Sequence, residues 1–282
     1  MDTPDYTFSR RYRGRVKGAI LDWSGTTADK YVIAPAVVFV EVFRRHGVEI
    51  SMEEARGPMG LRKDLHIKAL TENPEIRERW RQVHGSEPGQ DDVDAMFEDF
   101  VPLQLECLPQ YTTLLPGVVE LAEKMQNEYG IKIGVSTGFT RSMVDVLLKS
   151  AQDQGFYPDA TVAGDEVEHG ARPRPFMVYR NLDLLDVSPI QSVVKVDDTV
   201  SGVGEGLEAG CWAVGIARYS NYMNINTLDE ESTLSDDEIQ RRLRQTRDML
   251  WRTGAHYVID EPLELIPVID DINRRLQRGE RP

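Results

Sequence analysis

The residues Gly18-Ala-Ile-Leu-Asp22-Trp-Ser-Gly-Thr-Thr27 decide the fold of this chain. Their apolar start predicts a buried strand, which delivers Asp22 onto a small, hydroxyl-rich loop. A carboxylate at the carboxyl end of the first strand of an α/β sheet stands where such sheets bind ligands. Asp22 is therefore a candidate nucleophile or metal ligand. The alternative for an isolated Asp at a strand end is a simple turn cap, so the rest of the chain has to decide.

Further apolar runs predict a sheet around this first strand. Most of the later runs are separated by helix-like segments, which is typical of an α/β fold with a doubly wound, mainly parallel sheet. The six predicted strands are Gly18–Asp22, Ile131–Ser136, Ala160–Ala163, Ser192–Val196, Trp212–Ile216 and His256–Ile259.

The long gap between the first and second strands is predicted to be helical. Caps, glycines and apolar spacing mark helices at Pro35–His46, after the capping box Ser51–Glu54, at Leu61–Leu70 and at Val93–Leu108. About 80 such residues exceed the dozen or so that a simple crossover helix needs. We therefore expect an inserted helical cap over the carboxyl edge of the sheet.

This cap defines the expected domain organisation. Residues 32–111 form the cap, while residues 1–31 and 112–282 form the two segments of the core domain. Hinges near Lys30–Ile33 and Leu108–Thr113 would let the cap open for substrate and close for chemistry.

Composition excludes several classes of protein. The 282 residues include 33 basic and 47 acidic ones, and the net charge of −14 argues against a nucleic-acid binder. Cys107 and Cys211 lack metal-ligand spacing and predict neither a disulfide nor a zinc site. The polar N-terminus Met1–Arg15 lacks the apolar segment of a signal peptide, and no run approaches the roughly 18 apolar residues that span a membrane. We expect a cytoplasmic protein with no membrane role.

Four separated segments carry a family resemblance: Leu21–Thr27, Pro58–His66, Ser136–Arg141 and Lys195–Thr199. On these residues the chain resembles the haloacid dehalogenase superfamily of hydrolases and, within it, the phosphonatase (phosphonoacetaldehyde hydrolase) family. The resemblance extends over nearly the whole chain. The first segment is common to the superfamily, whereas the second is much more specific. The resemblance implies a haloacid dehalogenase-like core with an inserted cap.

The resemblance also implies a nucleophile and a metal site. Asp22 would attack phosphorus and form an aspartyl-phosphate intermediate. A magnesium ion, Mg²⁺, would be held by Asp22, Asp198 and the backbone carbonyl of Ser24, since hard oxygen ligands suit this cation. Asp197 is either a further metal ligand or a residue that orients water. The family often has Gly at position 197 and an acid at the position of Gly202, so this chain departs from the pattern there.

The type of leaving group is predicted from the absence of an aspartate at position 24. Ser24 stands where most phosphatases of the superfamily carry an aspartate that protonates a leaving oxygen, so simple ester hydrolysis is disfavoured. A carbon leaving group instead needs a protonated imine, which accepts the electrons of the breaking bond as an enamine. The resemblance assigns this imine to Lys63 and proton transfer to His66. Met59 and His66 lie four and three residues from Lys63, so the three catalytic candidates can share one helix face.

Further residues are predicted to bind the substrate. At the end of the second strand, the resemblance directs the hydroxyl and N–H of Thr137 toward the phosphoryl oxygens, and Gly138 permits close backbone approach. Arg172 matches the phosphate-binding cation of the family, with Arg174 as the alternative. The remaining members of the predicted substrate-binding set are Gly25 and Thr26.

The sequence as a whole predicts a hydrolase that cleaves the carbon–phosphorus bond of phosphonoacetaldehyde, a small-molecule phosphonate, during 2-aminoethylphosphonate degradation. The family resembled is homodimeric, so a homodimer is expected. One alternative is a phosphatase or dehalogenase of the superfamily that uses Asp22 without an imine. A non-catalytic binding protein is disfavoured because Asp22, Lys63 and Asp198 are all present. Phe139 replaces a tyrosine common in the family and so removes a hydroxyl.

Overall fold

The computed structural model describes residues 12–282. Two expectations fall partly outside these residues. They are the absence of a signal peptide in Met1–Arg15 and the first core segment, 1–31, because residues 1–11 are not among the described residues.

One six-stranded sheet forms the centre of the molecule. Its order is β3-β2-β1-β4-β5-β6, and every neighbouring pair of strands is parallel, which confirms the predicted α/β class. The strands are β1 (Gly18–Leu21), β2 (Lys132–Thr137), β3 (Ala160–Ala163), β4 (Val193–Asp197), β5 (Trp212–Ile216) and β6 (Tyr257–Ile259).

The sheet is covered on both faces. Ala19 and Leu21 of β1 belong to one apolar core, whereas Ile20 between them belongs to another. Successive side chains of a strand point to opposite faces, so an unbroken apolar run is what a strand buried on both sides requires. This explains why the run before Asp22 is apolar throughout.

The central position of β1 determines where the candidate site residues meet. β1 lies between β2 and β4, and the carboxyl ends of parallel strands share one edge of the sheet. Asp22 follows β1, Thr137 ends β2 and Asp197 ends β4. Three separated segments of the sequence are thereby brought to the same edge.

Six α-helices lie between β1 and β2, as the spacing predicts, and the first five fall within residues 32–111, with α5 packed against α1 and α3. The capping box is also present, because Ser51 Oγ accepts from Glu54 N (3.1 Å) and the Glu54 carboxylate accepts from Ser51 N (2.8 Å). We propose residues 32–111 as the cap domain on this basis. The five helices are α1 (Ile33–Arg45), α2 (Met52–Arg56), α3 (Lys63–Glu72), α4 (Pro74–His84) and α5 (Gln90–Cys107).

Of the remaining helices, α6 precedes β2 and the others follow the later strands, and α8, α9 and α11 each pack against the sheet. They are α6 (Val118–Glu123), α7 (Arg141–Asp153), α8 (Phe176–Leu185), α9 (Val200–Ala209), α10 (Leu228–Thr233), α11 (Asp236–Arg252) and α12 (Leu265–Gln277). None of the helices within residues 12–282 combines the length and apolar character needed to cross a bilayer.

The link between core and cap has an unusual backbone. Asp29, Tyr31 and Val32 all have positive φ angles, of 52°, 65° and 55°. This region is uncommon for residues other than glycine and is costly for a β-branched side chain such as Val32. Asp29 Oδ1 compensates in part by accepting hydrogen bonds from the backbone N–H groups of Ile33 and Ala34 at the start of α1. The strained link coincides with the predicted hinge at Lys30–Ile33.

Candidate active site

Asp22 is held firmly at the centre of the carboxyl edge. Its N–H donates to the carbonyl of Val196 in β4 (2.9 Å), and its carbonyl accepts a hydrogen bond from Thr27 Oγ1 (2.6 Å). Its carboxylate Oδ1 accepts from Arg172 Nη2 at 2.6 Å. Burial raises the pKa of Asp22, while the charge of Arg172 opposes that shift. The ionised carboxylate therefore depends on nearby positive charge.

Asp197 and Asp198 join Asp22 in a buried acidic cluster, in which one oxygen from each carboxylate lies within 4.8 Å of the others. Asp198 Oδ2 accepts a hydrogen bond from Asn221 N (2.8 Å), while its buried Oδ1 has no hydrogen-bond donor among residues 12–282. Burial, reinforced by repulsion from Asp197 and Asp22, raises the pKa of Asp198 well above its usual range.

Arg172 connects this cluster to a second buried acid. Its Nη2 donates to Asp22 and to the carbonyl of Ser136 (2.7 Å), and lies 3.2 Å from Asp197 Oδ2. Its Nε donates to Glu205 Oε2 at 3.1 Å. Although burial opposes ionisation, the three carboxylates raise the pKa of Arg172 well above its usual value. The guanidinium is thus permanently charged and fixed in orientation.

The donor set fits a divalent cation. Within residues 12–282, two buried cations are in direct contact with this group of four buried carboxylates, so the ionised cluster carries a charge of 2 − 4 = −2. Carboxylate and carbonyl oxygens are the ligands that Mg²⁺ prefers, and Asp198 Oδ1 is a buried acceptor without a donor. The four acids are Asp22, Asp197, Asp198 and Glu205, and the two cations are Arg172 and Lys195.

Asp197 directs both of its oxygens at protein donors. Oδ1 accepts from the N–H (3.0 Å) and hydroxyl (2.7 Å) of Thr199, and Oδ2 lies 2.7 Å from Lys195 Nζ and 3.2 Å from Arg172 Nη2. Although burial opposes ionisation, Arg172 and Lys195 lower the pKa of Asp197. Of the two open interpretations, these hydrogen bonds favour an orienting residue over a direct metal ligand.

Gly202 accommodates this carboxylate. A Cβ atom at position 202 would lie 1.9 Å from Asp197 Cγ, far inside the contact distance. The Asp197 carboxylate therefore fills the space in which a side chain at 202 would begin. The two departures from the family pattern, at 197 and at 202, are sterically linked.

We expect Gly202→Ala to destabilise the protein by about 3 kcal/mol, at the upper end of the cost of overpacking, because Asp197 cannot move without breaking buried ion pairs. Urea unfolding measures this change. Gly204→Ala on the same helix is the matched control, since its nearest neighbour would be Pro173 Cβ at 3.7 Å. Equal stability of the two variants would contradict the steric link.

Lys63 lies in the first turn of α3 and faces the core across the cap interface. Its side chain is buried, and Nζ lies over the ring of Phe139 (4.5 Å to the centroid) and near that of Phe39 (5.8 Å). Burial lowers the pKa of Lys63 to about 8; Asp22 opposes this shift and Arg172 assists it. At pH 7 roughly a tenth of such an amine is neutral, against about 0.03% for an ordinary lysine.

His66 lies behind Lys63 on the same helix. Its ring stacks on Phe39 with centroids 3.8 Å apart, and its Nε2 lies 2.8 Å from the carbonyl of Ala55. Burial, assisted by the charge of Lys63, lowers the pKa of His66 well below its usual value. The imidazole is therefore neutral, with Nε2 as the donor and an electron pair on Nδ1.

Most of the predicted site residues line one cavity between cap and core. Four of the predicted residues do not line this cavity, namely Gly25, Thr26, His66 and Asp197. The sequence singled out eight of the lining residues: Asp22, Ser24, Met59, Lys63, Thr137, Gly138, Arg172 and Asp198.

The structure explains why glycine occupies positions 25 and 138, and it distinguishes Arg172 from Arg174. Gly25 has a φ of +75°, and a Cβ there would lie 2.6 Å from Asp198 Oδ2. A Cβ on Gly138 would lie 2.6 Å from the carbonyl oxygen of Leu61, so the close approach at this position is to the cap backbone. Arg174 is exposed and donates to the carbonyl of His169, which leaves Arg172 as the cation beside Asp22.

Several residues near the site were not predicted from the sequence. Lys195 is a charged residue inside an apolar strand, which by itself signals a buried partner. Glu205 is a buried acid on α9, and the sequence offers no comparable signal for it. The cavity lining also includes Val32, Pro35, Gly60, Phe139 and Thr199.

Known proteins resemble this chain over nearly its full length. The haloacid dehalogenase-like hydrolase family matches residues 19–216. A phosphonoacetaldehyde hydrolase from Syntrophobacter fumaroxidans is 40% identical over 274 residues, which cover 97% of this chain and 98% of that one. A phosphonoacetaldehyde hydrolase from Bacillus cereus is 40% identical over 261 residues, covering 93% of this chain and 98% of that one.

A solved structure supports the same relationship. The crystal structure of a phosphonoacetaldehyde hydrolase-like protein from Oleispira antarctica matches with a TM-score of 0.94 and 36% identity, covering 98% of this chain and 99% of that one. The matched region of that structure includes both the sheet and the insertion after β1 of this chain. The chain belongs to the haloacid dehalogenase-like hydrolases and, within them, to the phosphonoacetaldehyde hydrolase family.

Proposed function

We propose that this enzyme hydrolyses phosphonoacetaldehyde to acetaldehyde and phosphate. The observation that carries this proposal is a buried lysine of lowered pKa, Lys63, in the same cavity as Asp22 and Arg172. Ser24 stands where ester hydrolysis would need an acid, so the cavity is suited to a carbon leaving group. The full-length relatives named for this activity agree with the proposal.

The first step uses the neutral amine of Lys63. It attacks the aldehyde carbon of the substrate, and loss of water leaves a protonated imine. His66 Nδ1 is a neutral base close behind Lys63, and it would accept the proton that the amine nitrogen loses once it has bonded to the aldehyde carbon. The aromatic rings of Phe139 and Phe39 keep water away from the amine.

Asp22 then attacks phosphorus. An oxygen of its carboxylate forms a bond to phosphorus while the carbon–phosphorus bond breaks, and the bond electrons enter the imine to give an enamine on Lys63. Arg172, fixed by its ion pairs, and the N–H and hydroxyl of Thr137 would bind the phosphoryl oxygens and stabilise their charge. Water finally releases phosphate from Asp22, and protonation and hydrolysis of the enamine release acetaldehyde and restore Lys63.

Asp22, Asp198 and the carbonyl of Ser24 are the proposed ligands of Mg²⁺. When bound, this ion offsets repulsion between the carboxylates and the phosphonate and stabilises the charge of the transferring group. Asp197 contributes by fixing Arg172 and Lys195.

The lowered pKa of Lys63 predicts a pH dependence. The neutral amine becomes dominant above about pH 8, so the rate of trapping by sodium cyanoborohydride with phosphonoacetaldehyde should rise about 50-fold from pH 6 to 8 and then level off. A lysine of ordinary pKa would instead give a tenfold rise per unit up to pH 10. That steady rise, measured on Lys63 by peptide mass mapping, would count against desolvation of the amine.

Product analysis tests the proposed reaction against its alternatives. The enzyme is incubated with phosphonoacetaldehyde, with a phosphate ester and with a 2-haloacid, and phosphate, acetaldehyde and halide are measured. We expect equal amounts of phosphate and acetaldehyde from the phosphonate, and a loss of both when the metal is chelated. Phosphate from the ester alone would establish a phosphatase, and halide would establish a dehalogenase.

The homodimer remains a proposal from the family resemblance, and we also propose a cytoplasmic location. Sedimentation velocity tests the dimer, because a single species of about 32 kDa, the mass of one chain, would contradict it. Degradation of 2-aminoethylphosphonate is the proposed metabolic role, because its aldehyde is the proposed substrate.

A further inference from the structure

Arg56 is a buried cation of the cap whose hydrogen-bond acceptors among residues 12–282 are all uncharged. It ends α2 and is 4% exposed. Nη1 donates to the carbonyl of Tyr31 (2.5 Å) and to Asn221 Oδ1 (3.0 Å). Nη2 donates to the carbonyl of Ile225 (2.6 Å), and Nε donates to Asn226 Oδ1 (3.2 Å). Each nitrogen of the guanidinium therefore has an acceptor.

These acceptors lie outside the cap helices. Tyr31 belongs to the strained hinge, and 221–226 belongs to the segment after β5, more than 160 residues further along the chain. A buried guanidinium is costly unless its donors are satisfied. Movement of the cap away from the core would remove all of these acceptors together, so the arrangement belongs to the closed position of the cap.

One residue connects Arg56 to the acidic cluster. Asn221 Nδ2 donates back to the carbonyl of Arg56 (3.2 Å), and the backbone N–H of Asn221 donates to Asp198 Oδ2 (2.8 Å). The neighbouring Ser220 Oγ also donates to the carbonyl of Asp198 (2.8 Å). The cap arginine is therefore one residue away from the carboxylate proposed to hold the metal.

The chain after Arg56 runs directly to Lys63 along the core surface. The carbonyl of Met59 accepts from Ser201 Oγ (3.3 Å), and a Cβ on Gly60 would lie 2.2 Å from the same atom. Fixing Arg56 therefore also fixes the segment that delivers Lys63 into the cavity.

We propose that Arg56 is a positioning residue that clasps the cap to the segment 221–226 and, through Asn221, couples cap closure to the orientation of Asp198. This proposal rests on the proposed function. Closure of the cap would bring Lys63 into the cavity and orient the metal ligand Asp198 at the same time. It also gives the segment after β5 a role, namely to receive the cap. Because the coupling is reciprocal, metal binding should favour the closed cap.

Mn²⁺ alone, titrated by electron paramagnetic resonance, measures the metal site without substrate. The variants are Arg56→Met, Asn221→Ala and their combination. Asn221→Ala removes the amide that binds Arg56 but keeps the N–H that binds Asp198. Arg79→Met is the matched control, because Arg79 is a cap arginine whose partners, Glu54 and the carbonyl of Glu49, also lie in the cap.

We expect Arg56→Met and Asn221→Ala each to weaken Mn²⁺ binding about tenfold, the effect of losing a hydrogen bond of a charged group, while Arg79→Met leaves it unchanged. The double variant should be no weaker than either single one, because both break the same link. Hydrogen exchange at 29–34 should increase in the two single variants. Arg56→Lys, which keeps the charge and some of the donors, should restore part of the affinity.

Unchanged Mn²⁺ affinity in folded Arg56→Met, or additive losses in the double variant, would overturn the coupling. If Arg56→Met does not fold, the Mn²⁺ affinities of Asn221→Ala and Arg56→Lys test the coupling instead. Failure of the proposed reaction is separately visible, because Mn²⁺ affinity and hydrogen exchange do not depend on the identity of the substrate.

Discussion

Lys63→Arg is expected to abolish turnover of phosphonoacetaldehyde, with a fall of about 10⁴-fold or more in kcat. Arginine keeps the positive charge near the ring of Phe139, but its guanidinium stays protonated and cannot form an imine. Without the imine, the bond electrons have no acceptor, and the carbon leaving group is too basic to depart. Phosphate release under saturating substrate measures the effect.

The control for this variant is Lys68→Arg, an exposed lysine on the same helix. It should retain the activity of the parent enzyme. Binding of inorganic phosphate by Lys63→Arg, followed by calorimetry, should survive, because Arg172 and Thr137 are untouched. Substantial residual turnover in a folded Lys63→Arg would show that the amine is dispensable.

Asp22→Asn is expected to stop phosphate release to a similar extent while leaving imine formation intact. The amide has almost the same shape, but it is a poor nucleophile and cannot pair ionically with Arg172. Borohydride with phosphonoacetaldehyde should therefore still modify Lys63 in this variant. The two substitutions together separate the two covalent steps of the proposed mechanism.

Asp64→Asn is the matched control for Asp22→Asn, because Asp64 pairs with Arg62 in a half-buried ion pair on the cap. Asp64→Asn should have little effect on phosphate release or on imine trapping, since partly exposed ion pairs contribute little to stability. Phosphate release by Asp22→Asn at rates near those of the parent would exclude this carboxylate as the nucleophile.

Local patterns were sufficient to predict the sheet. The apolar run before Asp22 predicts a strand buried on both faces, and the structure places it in the centre between β2 and β4. Boundaries moved by a residue or two: Asp22 lies just after β1, whereas Asp197, expected beyond the strand, is the last residue of β4. The length of the gap between the first two strands was enough to predict the helical insertion. The contacts between that insertion and the core could not be predicted in this way.

The candidate site was predictable where a motif carried it. The segment Pro58–His66 led to Lys63, and the segments at the strand ends led to Asp22, Thr137 and Asp198, all of which line the cavity. The resemblance, more than periodicity, distinguished Lys63 from the neighbouring surface charges.

Long-range partners were not predictable from one sequence. Arg56 and Asn221 are 165 residues apart and meet only in the folded chain. Nothing local distinguishes Glu205 from an exposed helical acid, although it is fully buried against Arg172. Such pairings depend on how the helices pack on the sheet, which is decided by the whole core.

The departures from the family pattern are interpretable in the structure. Phe139 lost a hydroxyl, and its ring now lies under the ammonium of Lys63. Asp197 and Gly202 fit each other sterically. The hydroxyl of Ser24 lies near the buried carboxyl of Asp29, where it opposes the rise in the pKa of Asp29 that burial causes.

The central claim is that Lys63 forms an imine that makes the carbon–phosphorus bond cleavable. Borohydride reduction in the presence of phosphonoacetaldehyde, followed by peptide mass mapping, tests it most directly, with phosphate release measured in parallel. The account predicts a two-carbon adduct on Lys63 and loss of activity in proportion to it. Continued phosphate release with Lys63 unmodified would contradict the account.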